Sequence, residues 1–90
     1  MSRKRREELE QRAQVREEVL ARDDHTCQAK YLLVHIPCWG PLDVDEIIGR
    51  GRGGDWLDPE NCQVLCRVHH MWKHENPLEA LALGLSGKAQ

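Results

Sequence analysis

The chain has no phenylalanine, and its only Trp or Tyr side chains among 90 residues are Tyr31, Trp39, Trp56 and Trp72. A chain this short buries only about 60–65% of the surface that its unfolded form exposes, so packing alone stabilises it weakly. Its length leaves room for a single small domain. Such a domain needs a further source of stability, either disulfide bonds or a bound metal ion.

Long apolar segments are also missing. The first residues, Met1–Arg6, are basic and lead directly into Glu-rich sequence, which predicts that there is no signal peptide. The longest stretch without charge, Tyr31–Leu42, is too short to cross a bilayer and is interrupted by Pro37, Gly40 and Pro41. We therefore expect a cytoplasmic protein with no membrane role.

The formal net charge is only −2, and it is unevenly distributed. Residues 1–22 contain seven basic and five acidic residues, whereas residues 23–90 contain six basic and ten acidic ones. Basic charge supplies most of the non-specific affinity of proteins for nucleic acids. If the protein acts on DNA, it should therefore bind weakly unless a partner or a bound cation assists it.

Four cysteines occur in a chain for which a reducing compartment is expected, which favours metal ligands or buried thiols over disulfides. The two-residue gap between Cys66 and His69 allows both side chains to reach one tetrahedral ion. Cys27 and Cys38, which flank a loop of ten residues, could supply the other two ligands. Three thiolates and one imidazole fill the coordination sphere, which predicts a structural Zn²⁺ site.

Two alternatives to this ligand set remain open. His35 and Cys38 have the same two-residue gap as the pair above, and Cys62 could replace another thiol. Because Cys62 lies inside a predicted strand, we expect it to be buried and free.

Local patterns predict the order of the elements. A helix without Gly or Pro is expected over residues 6–22, and an irregular knuckle over 27–41. Short strands are expected over 44–48 and 61–65, separated by the Gly-rich loop 49–54 and a turn at 57–60. A helix should follow over 67–74, and a last one should begin with Asn76 as its N-cap and end at Gly84, before a frayed tail at 87–90.

A second group of polar residues surrounds the Gly-rich loop. Asp45 and Glu46 precede this loop, and Asn61 follows it. His70 and His74 are four residues apart and so share one face of the predicted helix, an arrangement that can present two imidazoles to one cation. The same spacing also occurs on helix faces that only contact solvent.

The order of these residues resembles the HNH nuclease family. The segments that carry the resemblance are Val44–Ile48, Arg50–Gly54, Asp58–Asn61 and Leu65–His70. The second and third letters of the motif fall on Asn61 and His70. Its first letter falls on Glu46, where the family usually carries the histidine that acts as general base, and His69 stands where a cysteine zinc ligand is commoner.

The resemblance implies a small α+β fold of the ββα-metal type, with a structural zinc ion, an N-terminal helix and a short C-terminal helix. Residues 1–22 would form a basic arm and helix, residues 23–85 the nuclease domain and residues 86–90 a flexible tail. The hairpin would span residues 44–65 and the metal-binding helix residues 67–74.

The resemblance also assigns roles at a catalytic cation, which would be Mg²⁺, Mn²⁺, Ni²⁺ or Zn²⁺. Asp45 and His70 would bind it, His74 would be a third ligand, and Asn61 would brace the loop or contact the metal. Glu46 would act as the base that activates water. The implied reaction is hydrolysis of a DNA phosphodiester to 5′-phosphate and 3′-hydroxyl, with nicking or double-strand cutting both open.

Partners follow from the same resemblance. Arg50 and Arg52 in the Gly-rich loop would contact phosphates of double-stranded DNA. Small phage-encoded members imply a terminase or another DNA-processing protein as partner and the host cytoplasm as location. The alternative hypothesis is a zinc-binding DNA-binding or adaptor module in which Glu46 has weakened or replaced catalysis.

Overall fold

The computed structural model describes residues 2–87, and its first element is the helix α1, Arg3–Arg22. The helix begins three residues before the predicted start because the Ser2 hydroxyl accepts a hydrogen bond from the N–H of Arg5, at 3.1 Å. It ends at Arg22 with Asp23 as its C-cap, after which Asp24 and His25 adopt positive φ angles of 54° and 50° and turn the chain away.

Two antiparallel strands follow, β1 (Leu42–Glu46) and β2 (Cys62–Cys66), and both differ slightly from the predicted ranges. Leu42 lies opposite Cys66, and Glu46 lies opposite Cys62. Ile47 and Ile48, which were expected in the first strand, belong to the connection instead. This connection contains two 3₁₀ turns, Arg50–Arg52 and Pro59–Asn61.

Two helices complete the described chain, α2 (Arg67–Glu75) and α3 (Pro77–Ala82). Cys66 is the N-cap of α2, and its Sγ accepts a hydrogen bond from the N–H of His69 at 3.4 Å. Asn76 is the N-cap of α3, as predicted, but its side chain makes no capping hydrogen bond, and its amide donates instead to the carbonyl of Trp72 at 3.0 Å. Pro77 still begins α3, because a helix does not use the N–H of its first residue.

Strand β2 is buried along its whole length, since α1 and the knuckle segment 27–41 both cover it. Val15 and Val19 of α1 pack against Cys62 and Val64. Helix α1 is therefore part of the core. The second cluster combines the knuckle, the end of β2 and α3; its buried members are Cys27, Ala29, Leu33, Leu65, Cys66, Ala80 and Leu85.

The segment expected to be a flexible tail begins with two anchored residues. The N–H of Ser86 donates to Ala80 at 3.3 Å, and the N–H of Gly87 donates to Ile47 at 2.9 Å. The rest of the expected tail, residues 88–90, lies outside the described residues. None of the helices within residues 2–87 combines the length and the apolar character that a membrane span requires.

Candidate functional site

Four side chains from the knuckle and the start of α2 converge on one point, and they are the predicted zinc ligands. The ligand atoms of Cys27, Cys38, Cys66 and His69 all lie within 4.8 Å of one another. Nδ1 of His69 is 3.2 Å from Sγ of Cys27 and 3.6 Å from Sγ of Cys38. A thiolate and an imidazole bound to one tetrahedral ion have similar separations. These four residues could hold a metal ion, and His35 is not among them.

The surroundings of this cluster fit a cation. Nε2 of His69 lies 2.6 Å from the carbonyl of Ile36, so a proton on Nε2 leaves Nδ1 free to bind metal. Burial and the neighbouring thiols of Cys27 and Cys66 raise the pKa of Cys38 to about 12. Thiols that repel one another's negative charge in this way are stabilised as thiolates by a divalent ion.

The fourth cysteine, Cys62, is buried and lies outside the cluster, as predicted. Its Sγ is 3.4 Å from Nη1 of Arg12, a residue of α1 that also donates to the carbonyls of Trp56 and Val44. Burial raises the pKa of Cys62 despite the nearby guanidinium. Cys62 therefore packs as a neutral thiol at the interface between α1 and the sheet.

A second group of possible metal ligands comes from β1 and α2. Asp45, His70 and His74 place their ligand atoms within 4.8 Å of one another. Nε2 of His70 is 3.3 Å from Oδ1 of Asp45, and the two imidazole rings are 5.1 Å apart between centroids. We call these three residues the acidic–histidine trio. One carboxylate and two imidazoles suit a transition-metal cation and leave further coordination positions for water and substrate.

The orientation of His70 is set by a contact on its other side. Its Nδ1 is 2.9 Å from Oδ2 of Asp43, which also forms a two-point ion pair with Arg67. Arg67, together with His70, lowers the pKa of Asp43 to about 2, so this carboxylate stays ionised. With Nδ1 occupied in this way, Nε2 of His70 faces Asp45 and is the nitrogen available to a cation.

Asp45 is only 5% exposed, and one of its carboxylate oxygens accepts two hydrogen bonds. Its Oδ2 accepts hydrogen bonds from Nζ of Lys73 at 2.5 Å and from Nε2 of Gln63 at 2.9 Å. Burial opposes ionisation, but the contacts with His70, Lys73 and Gln63 outweigh it and lower the pKa of Asp45. Oδ1 is therefore left as the ligand atom of an ionised carboxylate.

Sequence analysis missed both Lys73 and Gln63. Lys73 follows His70 by three residues on α2, so helical spacing alone could have placed it beside the trio. Gln63 lies directly opposite Asp45 across the two strands, and finding it requires the register of the sheet.

Asn61 lies outside the trio and braces the Gly-rich loop. Its Oδ1 accepts from the N–H of Ile48, while its Nδ2 donates to the carbonyls of Ile48 and Asp55, all at 2.9–3.1 Å. Gly54 passes so close to this brace that a Cβ atom there would lie 1.7 Å from the carbonyl oxygen of Ile48. The loop therefore requires glycine at this position. Of the two roles open for Asn61, the geometry matches bracing.

The trio opens into a cleft of about 510 Å³, which Glu46 and Arg52 also line. The Glu46 side chain is 24% exposed, and its Oε1 lies 4.0 Å from Nε of Arg50. Arg50 does not line this cleft, because its guanidinium stacks 4.4 Å from the centre of the Trp56 ring. Of the two loop arginines assigned to phosphate contacts, Arg52 is the one that faces the cleft.

Comparisons of the chain with protein-family models, with curated proteins and with solved structures give no match. A functional assignment therefore depends on the residues and contacts described above.

Proposed function

We propose that the protein is a divalent-metal-dependent DNA endonuclease of the HNH type that contains a structural zinc ion. The observation that supports this proposal is the convergence of Asp45, His70 and His74 beside Glu46 in one open cleft. A carboxylate and imidazoles around a cation, next to a second carboxylate, are the groups that metal-assisted hydrolysis of a phosphodiester needs.

The trio would hold the catalytic cation, which would neutralise the negative charge that develops on the phosphate and on the leaving oxygen. Glu46 lies in the same cleft and accepts a proton from water as the water oxygen attacks phosphorus. The bond from phosphorus to the 3′-oxygen breaks, and this oxygen takes up a proton from solvent. Arg52 contacts a phosphate oxygen from the loop side.

The Cys₃His cluster has a positioning role in this proposal. It joins the knuckle to the first turn of α2, and its ligand His69 directly precedes His70. A closed four-ligand site stabilises a small domain without taking part in chemistry. Zinc at this cluster would thus hold the first turn of α2 where His70 meets Asp45.

The test is incubation of supercoiled plasmid with zinc-loaded protein and added Mg²⁺, Mn²⁺, Ni²⁺ or Zn²⁺. We expect nicked or linear DNA with at least one of these ions. His70→Ala should abolish cleavage and keep about one zinc per chain, whereas His35→Ala, which removes an exposed histidine outside both clusters, should keep activity. Cleavage that survives His70→Ala would contradict the assigned site.

A second candidate function is a zinc-containing DNA-binding or adaptor module without cleavage. The observation that favours it is Glu46 itself, which occupies the general-base position and faces Arg50 at 4.0 Å. Plasmid that stays intact with wild-type protein and every metal, but is cut by Glu46→His, would support this second function.

A further inference from the structure

The acidic–histidine trio lies between two depressions. On one side is the cleft of about 510 Å³ described above, and on the other is a groove of about 460 Å³. His70, His74 and Val44 line both of them. A group bound at His70 and His74 therefore borders both depressions, whereas Asp45 lines the first cleft only.

This arrangement distinguishes between two kinds of phosphate ester. A terminal phosphate needs space for its chain on one side only, whereas a phosphodiester within a polynucleotide continues on both sides of the scissile phosphorus. A depression on each side of the trio suits the internal diester.

The charges of the second groove also suit a nucleic-acid backbone. Arg16 from α1 and Arg67 from α2 line it, with Asp43 as its acidic member. The ion pair with Asp43 neutralises Arg67. Arg16 forms no ion pair within residues 2–87, and the one hydrogen bond of its side chain there is a long one of 3.4 Å to the carbonyl of Leu42.

The first cleft, like the second groove, has one basic side chain in an ion pair and one basic side chain outside any ion pair of the described residues. Lys73 is paired with Asp45, while Arg52 is exposed and has no ion pair in the described part of the chain. Each depression thus contributes one arginine that forms no ion pair with a carboxylate of residues 2–87. Phosphates on either side of a bound diester are the anions that such guanidinium groups recognise.

We infer that one DNA strand crosses the trio from Arg52 to Arg16, so that α1 forms part of the substrate-binding surface. This inference deepens the proposed function and rests on it. Helix α1 lies outside the HNH motif, and its role follows from its packing on β2, which brings Arg16 to the edge of the groove.

The experiment uses zinc-loaded protein and a labelled linear duplex. Cleavage of the duplex is measured with added divalent ion, and binding is measured without it from about 50 to about 200 mM salt. Arg16→Gln should reduce the slope of log affinity against log salt by about 0.9, the contribution of one phosphate contact. It should raise KM by up to about fivefold, as for one exposed ion pair, and leave kcat within about twofold. Arg16→Lys should restore the slope because it keeps the charge.

Lys30→Gln is the matched control, because Lys30 is exposed and lines neither depression. It removes one positive charge from the knuckle and should leave the slope and KM unchanged. If Arg16→Gln protein keeps its zinc but has the same salt slope and the same KM as Lys30→Gln, the proposed path of the strand across α1 is wrong. Wild-type protein that neither binds nor cuts the duplex would instead overturn the proposed function, and this inference with it.

Discussion

Lys73 has a charged side chain that is only 8% exposed, and both of its partners belong to β1. Its Nζ donates to Oδ2 of Asp45 at 2.5 Å and to the carbonyl of Glu46 at 2.8 Å. The lysine therefore satisfies a buried carboxylate and fixes the end of the strand that carries both Asp45 and Glu46. The ammonium group also lowers the pKa of Asp45 and so favours its ionised form.

Replacing Lys73 should destabilise the protein strongly. Lys73→Met leaves Asp45 without its cationic partner, and breaking a buried pair from one side costs about 3 kcal/mol or more. Urea denaturation should show this loss, and adding Asp45→Asn should recover part of it. The exposed lysine gives a control, since Lys30→Met should change the free energy of unfolding by less than about 0.5 kcal/mol. Equal effects of the two single substitutions would contradict this account.

Glu46 is the residue on which hydrolysis depends in the proposed function. Glu46→Ala should slow cleavage roughly 10²- to 10⁴-fold, the usual contribution of a positioned base, and Glu46→Gln should be equally slow because an amide cannot take up a proton. Glu46→His should retain or raise activity. Initial rates on supercoiled plasmid measure the effect, with Glu75→Ala, at an exposed carboxylate at the end of α2, as the control.

The same series tests whether Glu46 binds the cation instead. In that case the Ala variant should recover its rate at high divalent-ion concentration, and the Gln variant should recover in the same way. Recovery of this kind would contradict the base role.

At the scale of elements, the joint between α1 and β2 depends on the end of the helix. Oδ2 of Asp23 accepts a hydrogen bond from the N–H of Val64 at 3.0 Å, and Arg22 pairs with Asp23 at 2.8 Å. Arg22 also donates to the carbonyls of Cys62 and Pro59, each at 2.7 Å. Two adjacent residues thus connect the helix end to the strand.

This joint should give a pH-dependent contribution to stability. Burial disfavours the Asp23 carboxylate, but hydrogen bonds from Arg22 and Val64 outweigh burial and lower its pKa. Because the pKa of Asp23 is lower in the folded than in the unfolded protein, its ionised form stabilises the fold at pH values above the unfolded-state pKa of about 3.9. This stabilisation is lost as the pH falls through the folded-state pKa. We expect Asp23→Asn to cost about 1 kcal/mol at pH 7, the difference between a charged and a neutral hydrogen bond.

Urea denaturation with excess zinc measures the difference in free energy of unfolding between wild type and Asp23→Asn. It should stay constant from about pH 7 to pH 5 and shrink below about pH 4. Asp24→Asn is the matched control, since Asp24 is an exposed neighbour whose positive φ asparagine tolerates. A difference that grows on acidification would contradict the assigned sign.

Short spacing in the sequence predicts only part of each ligand set, whereas Cys27, Cys38 and Asp45, which are distant along the chain, were proposed from their residue types and from the resemblance described above. Cys66 and His69, like His70 and His74, are four or fewer residues apart, so a turn or a helix determines their geometry locally. The contacts that were missed join distant segments. Gln63 reaches Asp45 only through the strand register, and Asp43 reaches His70 only after α2 has packed on the sheet.

Helix α1 shows the same limit. Its apolar residues are ragged along the sequence, and they predict a helix without identifying its partner. The structure supplies that partner in Cys62 and Val64 of β2. Arg12 of the same helix donates hydrogen bonds to the carbonyl of Val44 in β1 and to that of Trp56 in the connection, although arginines near a terminus usually indicate solvent exposure.

At the scale of the whole molecule, the Cys₃His cluster is the junction of the knuckle, β2 and α2. Purified protein should contain about one tightly bound zinc per chain by elemental analysis, since three thiolates and one imidazole suit zinc and so small a core needs a further source of stability. Cys66→Ser should unfold or aggregate, whereas Cys62→Ser should keep both its zinc and its fold because Cys62 is a buried free thiol. Zinc loss in Cys62→Ser but not in Cys27→Ser would refute the assigned ligand set.

The two candidate metal centres depend on consecutive residues of one helix. His69 belongs to the Cys₃His cluster, and His70 belongs to the acidic–histidine trio. Successive residues of an α-helix are rotated by about 100° around its axis, so the rotation of α2 that directs one imidazole also directs the other. Inserting or deleting one residue between Cys66 and His69 would turn both side chains away at once. A change in the number of residues between Cys66 and His69 would therefore alter both centres together, so evolution can change this spacing in one centre only if the other centre changes with it.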